Sequence, residues 1–584
     1  MHSTTHDKLE PDSIDRHFRG QAARLTGGLA LSAFSAAWMD WMTHLALSHG
    51  RQLQLQQDAV ARALDSNAFA MRALGAAGHG ALSPADGLDG AADKRFADPA
   101  WSQFPFNVLA RTHQNTQALL KDSVRGVAGM SPYHADLLDF AVRMAADASS
   151  PANGLASNPE LLAQTQSEQG QNLVRGLQHL AEDVRRTLQG GEPAGSNEFA
   201  PGMGVAVTPG KVVFRNELIE VIQYAPTTKD VHAEPVLIVP AWIMKYYILD
   251  LSPRNSMVKY LVDQGHTVFM MSWKNPGEKD RELGMADYID LGLRAAVDVV
   301  ARVVPQRKIH AVGYCIGGTL LSIGAAAMAR AGDDRLGSVT LFAAQTDFSE
   351  PGELAYFINP GQLAALDATM HHKGVLESRQ MGGAFALLRG QDLVWQPLIN
   401  NYLKGRRDPM IDLMSWNADG TRMPFRMHTE YLHRLYLDND LARNRYVHDG
   451  RRVRLSDIRV PMFVVGTEAD HVAPWVSVYK VDNLVRSDDF TFLLTAGGHN
   501  AGIVCGPVHP KRSYKVRTRR LADPHLATEE WAEAAPRLPG SWWPEWQQWL
   551  ARHSSGKVKP PKMGAAGMGG AVLEDAPGQY VQGR

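Results

Sequence analysis

A thiol framed by glycines, Gly313-Tyr314-Cys315-Ile316-Gly317, stands where the strand-like run KIHAVGY (308–314) gives way to the helix-like run GTLLSIGAAAMA (318–329). The form is G-x-C-x-G, a nucleophile elbow with sulfur in the usual place of a serine oxygen. An elbow needs glycine on both sides because the chain turns abruptly from strand to helix and leaves no room for side chains beside the nucleophile. The positive end of the following helix dipole favours the thiolate, which is the reactive form. Alone, the pattern also fits a structural cysteine packed between glycines. A nucleophile requires a base, and the base an orienting carboxylate, each at the end of a later strand. Asp470 follows the apolar run MFVVGTEA (462–469), and His499 follows FTFLLTAGG (490–498), so the chain order is Cys, Asp, His. Cys315, His499 and Asp470 are therefore the expected nucleophile, base and orienting acid. The oxyanion formed on attack would be held by the backbone N–H of Ile316 and by a second N–H in the loop after PVLIVP (235–240), from Ile243 or Trp242.

The segments that must position these groups alternate in type. PVLIVP, HTVFMMSW (266–273), KIHAVGY and GSVTLFAAQTD (337–347) read as buried strands, and SMVKYLVDQG (256–265) and MADYIDLGLRAAVDVVARVV (285–304) as amphipathic helices. Short Val- and Ile-rich runs between helices indicate a parallel sheet covered on both faces. With the elbow, this predicts an α/β-hydrolase fold in a catalytic domain over 201–553. About 110 residues (roughly 347–456), rich in Tyr, Trp, Arg and Asn, interrupt the strands and predict an inserted cap subdomain. Residues 1–200 show helical patterns such as HADLLDFAVRMAADA (134–148) joined by Gly, Ala, Ser and Pro, a mainly helical N-terminal domain whose apolar segment is expected to pack or to dock on an apolar surface or a partner. GVAVTPGKVVFRNELIEVIQYAP (204–226) reads as a hairpin. Its GVAVTPGK imitates a phosphate-binding loop but has five residues between the glycines and Val212 after the lysine, so that reading fails. The Gly- and Pro-rich end, 554–584, reads as a flexible tail.

Composition excludes several functions. Sixty basic residues against sixty-one acidic ones leave no global field for nucleic acid. Two cysteines make no disulfide framework, and MHSTTHDKLEPDS lacks the regions of a secretory signal, so the cytoplasm is the expected compartment. GGLALSAFSAAWMDWMTHLALS (27–48) comes nearest to a membrane span, but Asp40 and His44 interrupt it, and a helix without transmembrane passage is expected. KRSYKVRTRR (511–520) carries six basic residues, a solvated face or a site for the phosphates of a nucleotide-bearing thioester. SWWPEWQQWL (541–550) reads as a packed helix, and the histidines show no metal spacing.

The series GYCIGGT, IVPAWIMKYYILDL, HTVFMMSWKNP, DLVWQPLINNYLKG, SWNADGTRMP, ADHVAPW and SWWPEWQQWL resembles, in order, the motifs of the polyhydroxyalkanoate synthases, or poly(3-hydroxybutyrate) polymerases, of the single-subunit class I and II type. The resemblance implies an acyltransferase that joins (R)-3-hydroxyacyl-CoA units, 3-hydroxybutyryl-CoA above all, with release of CoA. Cys315 would carry the acyl group, His499 would act as base, and Asp470 would be its partner. It also implies a homodimer, contact with the growing polyester and the granule surface, a cytoplasmic location on granules, and no cofactor, since the CoA thioester is the substrate. One departure stands out: Asn500 follows the histidine where well-known members carry an apolar residue. Two other readings of the same residues are a cysteine-type acyl-CoA thioesterase and a non-catalytic granule scaffold.

Overall fold

Apolar runs that water would penalise on either face become the centre of an eleven-stranded sheet. A computed structural model describes residues 30–76, 93–509, 511–564 and 571–583, together with Asp15 and Phe18. The strands are β1 (Gly210–Arg215), β2 (Ile219–Tyr224), β3 (Val236–Val239), β4 (Val268–Trp273), β5 (Ile309–Tyr314), β6 (Leu336–Phe342), β7 (Met462–Thr467), β8 (Asp489–Thr495), β9 (Ser513–Arg520), β10 (Arg537–Pro539) and β11 (Glu574–Asp575). Their order across the sheet is β10-β9-β8-β7-β6-β5-β3-β4-β2-β1-β11. β3 to β8 run parallel, and the strands outside them pair antiparallel. The strand order reverses between β3 and β5, which opens a crevice at their C-terminal ends, where sheets of this kind bind ligands. The hairpin expected around Pro209-Gly210 is β1–β2, with its turn at Asn216.

The helix Ile316–Arg330 leaves the end of β5 and is buried along most of its length. On the other face, Trp543–Arg552 packs as expected: Trp546 Nε1 donates to Thr340 Oγ1 on β6 at 3.1 Å, and the Phe342 ring lies 4.9 Å from the Trp546 ring. The basic run 511–520 becomes strand β9, paired between β8 and the short edge strand β10, and much of its charge is consumed locally. Arg519 binds the Asp482 carboxylate with Nε at 2.8 Å, Arg520 pairs with Asp489 at 2.9 Å, and Lys515 Nζ donates to the Ala532 carbonyl.

A second compact unit comprises residues 26–194 and Gly383–Pro409. The segment 27–48 forms, within its described residues, the helix Leu31–Leu47. The polar residues that interrupt its apolar run have internal partners: Asp40 accepts from the Ser131 N–H at 3.0 Å and from His134 Nδ1 at 2.6 Å. Among the described residues, no helix is long and apolar enough to cross a membrane.

The structure redraws two expected limits. The insertion 347–456 is not one cap: Gly383–Pro409 packs with the amino-terminal helices, while 347–382 and 410–456 stay with the sheet. The cause is backbone chemistry that helix periodicity does not report. Asn172 donates to the Leu403 carbonyl at 2.9 Å, His179 Nδ1 meets the Asn401 carbonyl at 3.0 Å, and Gly176 lets Tyr402 so close that a Cβ there would lie 1.9 Å from its carbonyl oxygen. The expected flexible tail, 554–584, is instead ordered in its described residues: Lys557–Val558 pairs with Val231–His232, and 571–583 form a strap. β11 extends the sheet beside β1, and the buried Glu220 carboxylate accepts from the N–H groups of Gln579 at 3.2 Å and Tyr580 at 3.0 Å. Charge drives this docking, since Glu574 pairs with Arg215 and Asp575 with Lys211.

Candidate active site

Cys315 occupies the turn between β5 and the helix with φ 53° and ψ −128°, a left-handed conformation that a side chain adopts only where its surroundings enforce it. The enforcement comes from close packing. A Cβ at Gly313 would lie 2.3 Å from the Gly318 Cα, and one at Gly317 would lie 2.4 Å from the Val239 carbonyl oxygen. The Cys315 N–H donates to the Phe342 carbonyl at 2.8 Å, which ties the elbow to the end of β6. The thiol is half-buried, whereas Cys505, the other cysteine, is fully buried and its thiol is pushed up by burial.

The structure brings Cys315, His499 and Asp470 together at the C-terminal ends of β5, β8 and β7. His499 Nδ1 lies 2.7 Å from Asp470 Oδ2, and charge at Cys315 also acts on the imidazole. Asp470 is held on every side: Oδ1 accepts from the Val472 and Ala473 N–H groups, both at 2.9 Å, and Oδ2 accepts from Thr467 Oγ1 at 2.8 Å as well as from His499. Burial alone would raise this carboxyl, but the imidazole and these donors keep it below its ordinary value. Burial likewise works to lower His499, yet negative charge at Asp470 and Cys315 outweighs it and holds the imidazole well above its ordinary range.

Ile316 begins the helix directly after Cys315, so its N–H has no intrahelical acceptor. The loop expected to supply a second donor lies against the elbow, since Gly317 abuts the Val239 and Pro240 carbonyls. The Thr421 N–H donates to the Ile243 carbonyl at 3.2 Å, and the Thr421 hydroxyl donates to the Trp242 carbonyl at 2.5 Å, which fixes this loop from the insertion.

Two features of the site escape sequence reading. Tyr431 and Tyr436, five residues apart, would stand about 140° apart on a regular α-helix. Leu432–Leu437 is a π-helix, whose wider turn aligns such residues, and the two rings lie 5.6 Å apart. Both phenols are raised, first by burial and also by charge at Cys315. With Phe348, 4.7 Å from the Tyr436 ring, and Trp242, 6.0 Å from the Tyr431 ring, they form an aromatic wall. The second feature is a hydrogen bond of 2.6 Å from the Tyr314 hydroxyl to Asn500 Oδ1. The aromatic spacing in TEYLHRLYL (429–437) was the available signal for the first, and the polar residue after His499 for the second.

For a metal, the grouping among the described residues is Asp290, His448 and Asp449, away from the triad residues in sequence. Arg294 Nη1 already spans both carboxylates, 3.0 Å from Asp290 and 3.2 Å from Asp449, so a cation has its place there.

Comparison with known families bears on what this geometry serves. Residues 92–261 match the family model "Poly-beta-hydroxybutyrate polymerase (PhaC) N-terminus", 10–51 match "Poly-beta-hydroxybutyrate polymerase N terminal", and 234–504 match the alpha/beta hydrolase fold. The poly(3-hydroxyalkanoate) polymerase of Methylorubrum extorquens is 39% identical over 495 residues, covering 84% of this chain and 80% of that protein. The chain belongs to the poly(3-hydroxyalkanoate) polymerase family. The polymerase subunits PhaC of Rhizobium meliloti (strain 1021) and Cupriavidus necator are 38% and 36% identical, each over 84% of this chain and over 79% and 83% of their own lengths. Poly(3-hydroxyalkanoate) polymerases are acyltransferases, and this member is an enzyme of that kind with an α/β-hydrolase fold and a helical amino-terminal region.

Proposed function

We propose that the chain polymerises (R)-3-hydroxyacyl-CoA thioesters, 3-hydroxybutyryl-CoA first among them, through acyl intermediates on Cys315. The observation that carries this reading is the convergence of Cys315, His499 and Asp470, with His499 Nδ1 bonded to Asp470, in a chain of this family. The Cys315 thiolate attacks the thioester carbonyl carbon, the oxyanion rests on the N–H groups of Ile316 and Ile243, and CoA leaves as the thiol with the proton of the His499 imidazolium. One thioester replaces another at nearly even free energy. His499, now neutral, then takes the proton of an incoming 3-hydroxyl as that oxygen attacks a thioester, forming an oxoester bond and returning Cys315 to the thiolate. Asp470 holds the imidazole with its proton on Nδ1. No metal or cofactor enters the scheme.

Water is the competing nucleophile, and the aromatic wall of Tyr431, Tyr436, Phe348 and Trp242 supports its exclusion. The product is insoluble, so the enzyme works at a polyester granule as well as in solution. Exposed apolar side chains on the helices Leu31–Leu47 and His49–Ala76, among them Trp38, Met42, Leu64 and Met71, support an attachment there. A homodimer completes the proposal. Purified protein given (R)-3-hydroxybutyryl-CoA should release CoA and turn turbid with polyester; release of free acid instead would make it a thioesterase, and no release a scaffold.

A further inference from the structure

The residue before the nucleophile and the residue after the base meet side chain to side chain. We infer that Tyr314 and Asn500 are a positioning pair that fixes the His499 imidazole against the Cys315 sulfur, an inference that rests on the roles proposed above for those two residues. Tyr314 ends β5, and its hydroxyl donates to Asn500 Oδ1 at 2.6 Å. The segments carrying nucleophile and base are thus joined by a bond directly beside the two reacting groups.

Each partner is itself held. The Asn500 carbonyl accepts from the Ile503 N–H at 3.0 Å and the Val504 N–H at 2.8 Å, so a closed turn aims its side chain. Tyr314 is only 2% exposed, and the N–H of the next residue, Cys315, is anchored to the Phe342 carbonyl. The Tyr314 ring lies 5.7 Å from the His499 ring at 31° and forms one wall of the imidazole site. Asp470 fixes Nδ1, which leaves the imidazole free to tilt about that hydrogen bond. A wall on the flank of the ring restricts that tilt, and the hydrogen bond to Asn500 sets where the wall stands. Burial, with charge at Cys315 and Asp470 adding to it, raises the phenol well above its ordinary value, so the hydroxyl remains a donor and takes no proton itself.

A displacement of about 1 Å in such a contact costs about 10²-fold in rate, so loss of the clamp should lower the rate of Cys315 acylation by about 10- to 100-fold. Tyr314→Phe removes one oxygen and keeps the ring; Asn500→Leu removes the acceptor. The test measures the CoA burst in rapid-quench experiments on the full chain with (R)-3-hydroxybutyryl-CoA. It also measures the pH profile of Cys315 alkylation by iodoacetamide, for each variant and for the double variant. Both single variants should lower kcat with KM nearly unchanged and should shift the alkylation profile, and the double variant should be no worse than the worse single one, because one bond is lost in all three. If Asn500→Leu fails to fold by thermal melting, Tyr314→Phe alone decides. Wild-type burst rates and an unmoved profile, additive losses, or an effect confined to KM would overturn the pairing and leave a bond that only satisfies a buried hydroxyl. A Cys315→Ala variant that still releases CoA would instead overturn the proposed roles of Cys315 and His499, whatever the clamp variants do.

Discussion

Asp470→Asn changes one atom pair, and the hydrogen bonds around it dictate the consequence. Oδ1 receives two backbone N–H donors, from Val472 and Ala473, so the amide oxygen of the variant must stay there. Its NH₂ group then takes the position of Oδ2, 2.8 Å from the Thr467 hydroxyl and 2.7 Å from His499 Nδ1. The hydroxyl can rotate and accept. His499 Nδ1 must also accept, which puts its proton on Nε2, facing sulfur. An imidazole in that tautomer can donate to a thiolate but cannot take a proton from a thiol or an alcohol. General base catalysis contributes about 10²- to 10⁴-fold, so acylation should fall by about 10³-fold, equivalent to about 4 kcal/mol of barrier. Rapid-quench measurement of first-turnover CoA release reads this directly, and raising the pH should return part of the rate as hydroxide removes the thiol proton. A variant whose first turnover stays within about 10-fold of wild type would refute the argument that Asp470 acts by setting the tautomer.

Cys315→Ala should abolish CoA release while Cys505→Ser keeps most of it, and mass spectrometry of the charged enzyme should find acyl only on Cys315. Asp250, buried with Oδ1 accepting from Ser256 at 2.6 Å, is pushed up by burial from 3.8 to about 6. Its folded form therefore holds the proton more tightly than the unfolded chain, and stability present below pH 4 is lost as pH rises through 6, by about 3 kcal/mol. Asp250→Asn should remove that slope, so urea midpoints of variant and wild type should diverge between pH 4 and 7; parallel midpoints would exclude it. Deleting residues 571–584 strips the buried Lys245 ammonium of the Tyr580 and Gly583 carbonyls and Glu220 of two N–H donors. Unmaking such buried contacts costs about 3–5 kcal/mol, so an unchanged urea midpoint would show the strap to be dispensable.

What could be read from the chain depended on how local its cause was. The elbow at Cys315 was legible because Gly313 and Gly317 are there for steric reasons that act within five residues, and β7 and β8 because a strand buried on both faces must be apolar throughout. The meeting of Asp470 and His499 with Cys315 follows from strand order, which brings these chain-distant residues to the same ends of neighbouring strands. The split of the insertion at Gly383 was hidden because it turns on carbonyls at Asn401 and Leu403 meeting side chains more than two hundred residues earlier. Glu574-Asp575 was hidden for a related reason: two residues amid Gly and Pro carry no strand periodicity, and only Lys211 and Arg215 across the sheet edge call for them.

In the proposed mechanism the same distinction separates the part of the site that would make an acyl-enzyme from the part that would decide its fate. A thiol, an imidazole and a carboxylate in line would serve hydrolysis as well as transfer, since water and a 3-hydroxyl differ little as nucleophiles toward a thioester. The choice falls to what surrounds the sulfur, and there Tyr431 and Tyr436 present rings whose phenols interact with each other. A hydroxyl delivered on a bound acyl chain brings its own apolar body against those rings, whereas a free water must enter without one. The π-turn at Leu432–Leu437 that aligns the two tyrosines is thereby tied to specificity, and the elbow to reactivity.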